Sequence, residues 1–361
     1  MEHRTAALRR RFRSLGIANF LVTRLSNIRW LCGYTGSNGV LFVTGQNSYF
    51  ITDGRYTNQA KEQVKSAEVF IYSNGVTIAD AFIRELKNNR NIRFRGRVGV
   101  ESQMMTVEFY QRLKMAFPNS SVVETEDIIE KLAMVKDDYE IENIRHAVEI
   151  TDKTLETILP FVKPGITEIE LSSEITYYHR KYGAQKDAFE TIVASGPRSA
   201  LPHGIASNRK IGSNELLTFD MGCFYNGYPS DMTRTFVVGK GSDEQRKIYE
   251  TVREAQAMGV EAAIPGAKCC DVDAVARNII TKAGYGDNFT HSLGHGLGLE
   301  VHSAPRISKL SKTILKPGMA ITIEPGIYIE GFGGVRIEDD VLITEDGNEV
   351  LNQSPRELIE L

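Results

Sequence analysis

Apolar positions in the first 125 residues fall into short runs that alternate with longer amphipathic stretches. The runs "FLVT", "GVLFVT", "SYFIT", "AEVFIYS" and "RVGVE" are rich in β-branched and aromatic residues and read as strands. Between them, "IADAFIRELKNN" and "TVEFYQRLKMAF" repeat apolar residues at helical spacing. At the start, Leu8, Phe12 and Leu15 do the same ahead of Gly16 and the strand-like "ANFLV". This alternation predicts a small α/β domain. Through "PNSSVVETEDIIEKLAMVKDDYEIENI" the pattern turns charged and helical, and a boundary there gives domains of residues 1–128 and 129–361. Beyond it, Ile141, Ile144, Val148, Thr151, Leu155 and Ile158 trace one face of a long helix.

The second part carries a weak internal repeat. A long helix ends at "KPG" (163–165), Thr167 and Glu170 form a capping-box pair for a second helix, and that helix ends near Gly183. Later, Ser242 and Gln245 cap a long helix ending at "IPG" (264–266), and another helix ends at Gly284. Each half then has a histidine-bearing stretch, "ASGPRSALPHG" and "HSLGHGLGLEVH", before a strand carrying an acid, "ELLTFDMG" and "MAITIEPG". The common order predicts two pseudo-symmetric α/β halves with a site where equivalent strands meet.

Asp220 and Asp231 flank Asn226-Gly227, a strong hairpin-turn dipeptide. With those two residues as the turn, Tyr225 pairs with Tyr228, Gly222 faces Asp231, and the two aspartates become diagonal neighbours with Cβ atoms roughly 7 Å apart. Such carboxylates repel unless a cation lies between them. Glu324 and Glu338 repeat the arrangement around a Gly-rich turn, but Pro325-Gly326 interrupts that ladder and leaves its register open. Taken singly, strand-end aspartates are turn formers and glutamates are solvated. Four acids in two matched hairpins with apolar flanks, joined by a histidine from the segment of His295, instead make a hard site suited to two divalent ions roughly 3.5 to 4 Å apart. Gly294, Gly296 and Gly298 rule against a helical zinc motif through His291 and His295, so that segment is extended or looping.

Composition narrows the partners. A formal net charge of −3 over 361 residues gives no electrostatic footprint for nucleic acid or an anionic membrane. No run of about 18 apolar residues exists to span a bilayer. The four cysteines, at 32, 223, 269 and 270, show no paired spacing, which fits a reducing cytoplasm. The Arg-rich start lacks the apolar core of a signal peptide.

The blocks "TFDMG", "SDMTRT", "HSLGHGLGLEVH", "TIEPGIY" and "VRIEDDVLIT" follow, in order, the five metal-ligand blocks of the pita-bread metallopeptidases (M24). Over nearly its whole length the chain resembles the Xaa-Pro aminopeptidase and prolidase group. "CGYTGSNGVLFVT" and "ITDGRYTNQA" are similar to the creatinase-like domain that precedes the catalytic domain there. The resemblance implies an α/β (α+β) chain: a small creatinase-like domain, then a pseudo-symmetric pita-bread domain. It implies Asp220, Asp231, His295, Glu324 and Glu338 as ligands of two divalent ions (Mn, Co, Zn or Fe), with Asp231 and Glu338 touching both.

His203 and His302 would contact substrate and, with Glu324 as proton carrier, form the catalytic set. Phe189 and His291 would line or support the site, Arg306 would meet a substrate carboxylate, and Tyr328 and Arg336 would orient the carboxylates. Ser303 stands where the family commonly has an acid after "EVH". The implied activity is hydrolysis of the Xaa-Pro bond at the N-terminus of small peptides by a cytoplasmic homodimer, with a prolidase confined to dipeptides as the alternative. A methionine aminopeptidase, a creatinase-like hydrolase and a non-catalytic binding protein share the architecture. The N-terminal domain and the five ligand matches favour the proline-specific enzymes.

Overall fold

A computed structural model describes residues 1–361 except 74, 90, 91, 93 and 95. The chain forms two compact units, Met1–Ala133 and Met134–Leu361. In the first, strands β1 (Asn19–Val22), β2 (Val40–Thr44), β3 (Ser48–Asp53), β4 (Glu68–Tyr72), β5 (Arg97–Glu101) and β6 (Ser121–Thr125) make one sheet in the order β4-β3-β2-β1-β5-β6. Its helices are α1 (Glu2–Leu15), α2 (Leu25–Cys32), α3 (Thr57–Gln63), α4 (Ile78–Asn88), α5 (Val107–Ala116) and α6 (Ile128–Ala133). Each apolar run of the sequence is a strand, and Leu8 and Phe12 are buried on α1. Strand β6 falls inside the stretch read as helical. "SVVET" has only two β-branched apolar residues, and its parallel pairing with β5 supplies what local propensity does not.

The second unit repeats one plan. The helices α7 (Asp138–Ile158) and α8 (Glu168–Lys181) are followed by β7 (Lys186–Asp187), β8 (Ile192–Ser195), β9 (Glu215–Met221), β10 (Cys223–Tyr225), β11 (Tyr228–Pro229) and β12 (Met232–Val238). The helices α9 (Asp243–Ala262) and α10 (Cys269–Lys282) are followed by β13 (Gly294–Gly296), β14 (Ser303–Ile307), β15 (Ala320–Ile323), β16 (Gly326–Ile329), β17 (Gly333–Arg336), β18 (Asp339–Ile343) and β19 (Asn348–Val350). Both predicted capping boxes are formed, Thr167 with Glu170 and Ser242 with Gln245.

The repeat extends to backbone bonding. Gly165 N–H donates to Ile211 O at 2.8 Å, and Gly266 N–H, 101 positions later, donates to Leu315 O at 2.9 Å. In return Ile211 N–H reaches Ile166 O and Leu315 N–H reaches Ala267 O. The two halves are therefore alike in structure, as their sequence order predicts.

Strand alternation places the polar face. On β9, Leu217, Phe219 and Met221 join Leu155, Ile158, Leu171 and Ile175 of α7 and α8 in one core. Asp220 and Thr218 therefore point to the other face. On β18, Val341 and Ile343 enter the core that also holds Ile248, Val252, Val272 and Ala276 of α9 and α10. Glu338 and Asp340 take the opposite side. Losing one aromatic such as Phe219 from these cores would cost about 3–5 kcal/mol.

Candidate metal centre

Both acid-bearing hairpins keep one register through an interruption. In the first, Tyr225 pairs with Tyr228 and, beyond the break, Met221 with Met232 and Asp220 with Thr233. This is the predicted register, and Asp231 lies at the break opposite Gly222. In the second, Gly326 pairs with Arg336 on one side of the break and Ile323 with Asp339 on the other. The break adds no residue, so Glu324 falls opposite Glu338. Pro325 thus leaves parity intact: both strands bend together where the hairpin passes from one sheet to the next. The register left open in the sequence is settled by this symmetric bend.

The hairpins abut along β12. Glu338 N–H donates to Thr233 O at 3.1 Å, and Thr235 Oγ1 and the backbone of Arg336 bond each other. Buried Arg234 spans the same seam, donating to Glu338 O and to Asp339 Oδ1.

His295 comes from β13, where glycine is required on both sides. A Cβ at Gly294 would lie 1.9 Å from Thr322 O, and one at Gly296 would lie 2.2 Å from Ala304 O. The glycines of "LGHGLG" let β13 sit between β14 and β15, and the segment is extended as expected. Thr322 Oγ1 accepts from His295 N–H and donates to Glu324 Oε1. The His295 Nδ1 faces Gly296 O at 3.3 Å, an acceptor only, so Nδ1 carries the hydrogen and Nε2 presents a lone pair. That Nε2 lies 3.5 Å from Asp231 Oδ2 and 3.4 Å from Glu324 Oε1.

One ligand-capable atom each from Asp231, His295 and Glu338 lies within 4.8 Å of the others. Among the described residues this is the one such trio. Burial pushes Asp231 and Glu338 well above the usual carboxylate range, and the neighbouring acids add to it, Glu338 and Asp220 for the first and Glu324 and Asp220 for the second. Burial likewise raises Glu324 to about 8 and lowers His295 to about 3. Asp220 Oδ1 is buried without a hydrogen-bond partner. Crowded carboxylates, an imidazole lone pair and an orphaned oxygen share one need, a cation of more than one charge. The residues fit a metal, and a metal-binding site is present here.

Protein hydrogen bonds fix the surrounding oxygens. Arg336 donates from Nη2 to Asp220 Oδ2 at 2.6 Å, from Nε to Thr233 Oγ1 at 2.9 Å and from Nη1 to Tyr328 Oη at 2.7 Å. Thr233 Oγ1 donates in turn to Glu338 Oε2 at 2.6 Å. Tyr328 Oη meets His291 Nε2 at 2.9 Å, and His291 Nδ1 donates to Ser292 O at 2.8 Å. Both His291 nitrogens are thus committed within the protein, and burial lowers its pKa to about 4. Asp231 N–H donates to buried Asp340 Oδ2 at 2.9 Å.

A cavity of about 640 Å³ opens over the cluster. Its lining brings together Phe189, His203, Asp220, Asp231, His291, His295, His302, Arg306, Glu324, Arg336 and Glu338. Ser303 is there as well; Tyr328 reaches the site through Arg336 and His291. The His302 and His295 rings meet edge to face with centroids 4.4 Å apart. Arg306 stands across the ladder from His295. Sequence reasoning missed Thr233, Thr322, Arg234 and Asp340. The threonines carried a signal, since Thr233 and Thr322 stand two residues from Asp231 and Glu324 and so share the acid-bearing face of their strands.

Comparison with known proteins agrees with this geometry. The profile of Metallopeptidase family M24 matches residues 142–345, and that of the Creatinase/Prolidase N-terminal domain matches residues 4–135. An uncharacterized peptidase of Bacillus subtilis is 45% identical over 354 residues, 98% of each chain. A Xaa-Pro dipeptidase of Pyrococcus horikoshii is 39% identical, covering 94% of this chain and 93% of its own. The structure of a Xaa-Pro dipeptidase from Bacillus anthracis superposes with a TM-score of 0.94 at 42% identity, covering 99% of both chains. With family profiles over both units and a metal-binding cluster between paired hairpins, the chain belongs to metallopeptidase family M24 and is a peptidase with a creatinase-type N-terminal domain and a pita-bread catalytic domain.

Proposed function

We propose that the chain hydrolyses the bond between a first residue and a following proline, with Xaa-Pro dipeptides as its principal substrates. The observation that carries this reading is the convergence of Asp231, His295 and Glu338 under a cavity whose lining also offers an arginine, Arg306. The names of the relatives support the dipeptide form. Asp220, Asp231, His295, Glu324 and Glu338 hold two divalent ions. When bound, these ions polarise a scissile carbonyl and acidify a water.

The protein's own groups do the rest. Glu324, with Oε1 held by Thr322, offers Oε2 to take the proton of the attacking water and pass it to the departing proline nitrogen. His203 and His302 face the cavity and serve the carbonyl oxygen, where charge develops. Phe189 gives apolar surface for the proline ring, whose nitrogen in the peptide has no hydrogen to be recognised. Arg306 pairs with the carboxylate that ends a dipeptide. Arg336, Tyr328 and Thr233 keep the carboxylates oriented.

A second reading, an aminopeptidase acting on longer peptides, is supported by the likeness to the X-Pro aminopeptidase structure of Thermotoga maritima, with a TM-score of 0.88 at 36% identity over 98% of this chain. The test is a panel of Xaa-Pro and Xaa-Pro-Xaa peptides offered to metal-stripped protein restored with manganese, cobalt, zinc or iron separately. Hydrolysis of Xaa-Pro alone supports the first reading. Equal hydrolysis of both favours the second, and cleavage of neither with any metal rejects both.

A further inference from the structure

His203 rides on an excursion of the chain between Ser195, the last residue of β8, and Ser207. Among the described residues its imidazole has no hydrogen-bond partner, so its place is set by the backbone that carries it. The middle of that backbone is held by Arg336 Nη1, which donates to Pro202 O at 3.3 Å, by Gly334 N–H, which donates to Ser199 Oγ at 2.9 Å, and by a bridge from Ile205 to Ile192, while its two ends converge on one side chain. Glu168, the first residue of α8 and fully buried, accepts through Oε1 from Ser195 N–H at 2.9 Å and Ser195 Oγ at 2.8 Å. Through Oε2 it accepts from Ser207 N–H at 3.0 Å and Ser207 Oγ at 2.6 Å, and from Arg198 Nε at 3.1 Å. Five donors on one carboxylate exceed what a neutral amide could satisfy.

Arg198 then spans the excursion, donating from Nη2 to Ile205 O at 2.6 Å. One carboxylate therefore ties both ends of the excursion and grips the cross-brace, and His203 lies between the brace points at 198 and 205. We propose that Glu168 is a positioning residue that holds the segment 196–206 and so aims His203 into the cavity. The proposal rests on the role given to His203 above.

The test uses the full chain loaded with manganese and Ala-Pro as substrate, in a double-mutant cycle of Glu168→Gln with His203→Ala. Arg198→Met, a change at a half-exposed side chain, repeats the cycle should Glu168→Gln fail to fold. The expected result is a fall in kcat/KM of about tenfold for Glu168→Gln and about threefold for Arg198→Met. Each loss is divided between KM and kcat as in His203→Ala, and each shrinks below about twofold when His203 is already alanine. A loss of the same size in both backgrounds, or no loss in either, overturns the proposal.

Hydrogen exchange separates this proposal from the reading beneath it. If His203→Ala behaves as the parent, the role given to His203 fails, and if Ala-Pro is cleaved with none of manganese, cobalt, zinc or iron, the dipeptide reading fails. Exchange of the 196–206 amides in Glu168→Gln then decides alone: faster exchange upholds the anchor and unchanged exchange overturns it.

Discussion

Arg336 Nη2 donates to Asp220 Oδ2 at 2.6 Å, while the charges that weigh most on Asp231, after burial, are those of Glu338, Asp220, Asp340 and Glu324. Neighbouring charges thus act on the two aspartates of one hairpin in opposite senses, while burial pushes the pKa of both upward. In metal-free protein Asp231→Asn should stabilise the fold and Asp220→Asn should destabilise it, since the second takes from buried Arg336 its shorter ion pair, 2.6 Å against 4.0 Å to Glu338, each by roughly 1–3 kcal/mol. The sign with pH follows from the raised pKa of Asp231: its folded-state proton is bound above the unfolded value near 3.9, so stability falls as pH climbs past that value. The advantage of Asp231→Asn should therefore widen from pH 4 upward. Thermal unfolding after chelation measures it, and an Asp231→Asn chain less stable than the parent at pH 8 would refute the account.

Thr233 Oγ1 receives from Arg336 and gives to Glu338, so a single hydroxyl transmits orientation between them. Thr233→Val keeps the shape and removes the link. We expect manganese affinity, measured by titration calorimetry, to weaken by about 10–100-fold. Thermal stability should fall by about 1–3 kcal/mol, because buried Arg336 Nε and Glu338 Oε2 each lose a hydrogen-bond partner.

Arg306 distinguishes the two substrate readings. Replaced by alanine, it should raise KM for a Xaa-Pro dipeptide about tenfold, a loss of about 1.4 kcal/mol, and leave that of a Xaa-Pro-Xaa amide nearly unchanged. Parallel Michaelis curves on the two substrates check this, and equal effects on both would remove the carboxylate contact.

Lys136 is buried at the start of the second unit with Nζ donating to Met134 O at 2.9 Å, and burial lowers its pKa to about 8, opposed by Glu140. The folded state thus resists the charged form. Its cost, on the order of 3 kcal/mol at most, is complete below pH 8 and gone above the unfolded value near 10.4. Urea unfolding should show stability rising across that window in the parent and no such rise in Lys136→Met.

Much of this site was legible because strand chemistry is local. Asn226-Gly227 determined the first hairpin's register from its own residues, and the alternation of "LLTFDMG" put Asp220 opposite the core face. The second hairpin was not legible, because whether Pro325 shifts the pairing depends on what the facing strand does at residues 337–338. Strand β6 escaped for a related reason, its support coming from β5, 20 residues and more away. Glu168 was invisible altogether: its five donors come from residues 195, 198 and 207, and nothing in "TEIEL" separates it from a solvated glutamate at a helix start.

The seam along β12 bears on ancestry. The acids and histidines of the cavity are shared between two look-alike halves, so a primordial chain with only one of them would have owned half a pocket. Such a chain could have closed a whole one only by docking against its own twin about a twofold axis. Fusion of the twins into one gene would have freed each copy to diverge, and the acids now stand at unequal spacings, 220 with 231 in one hairpin and 324 with 338 in the other.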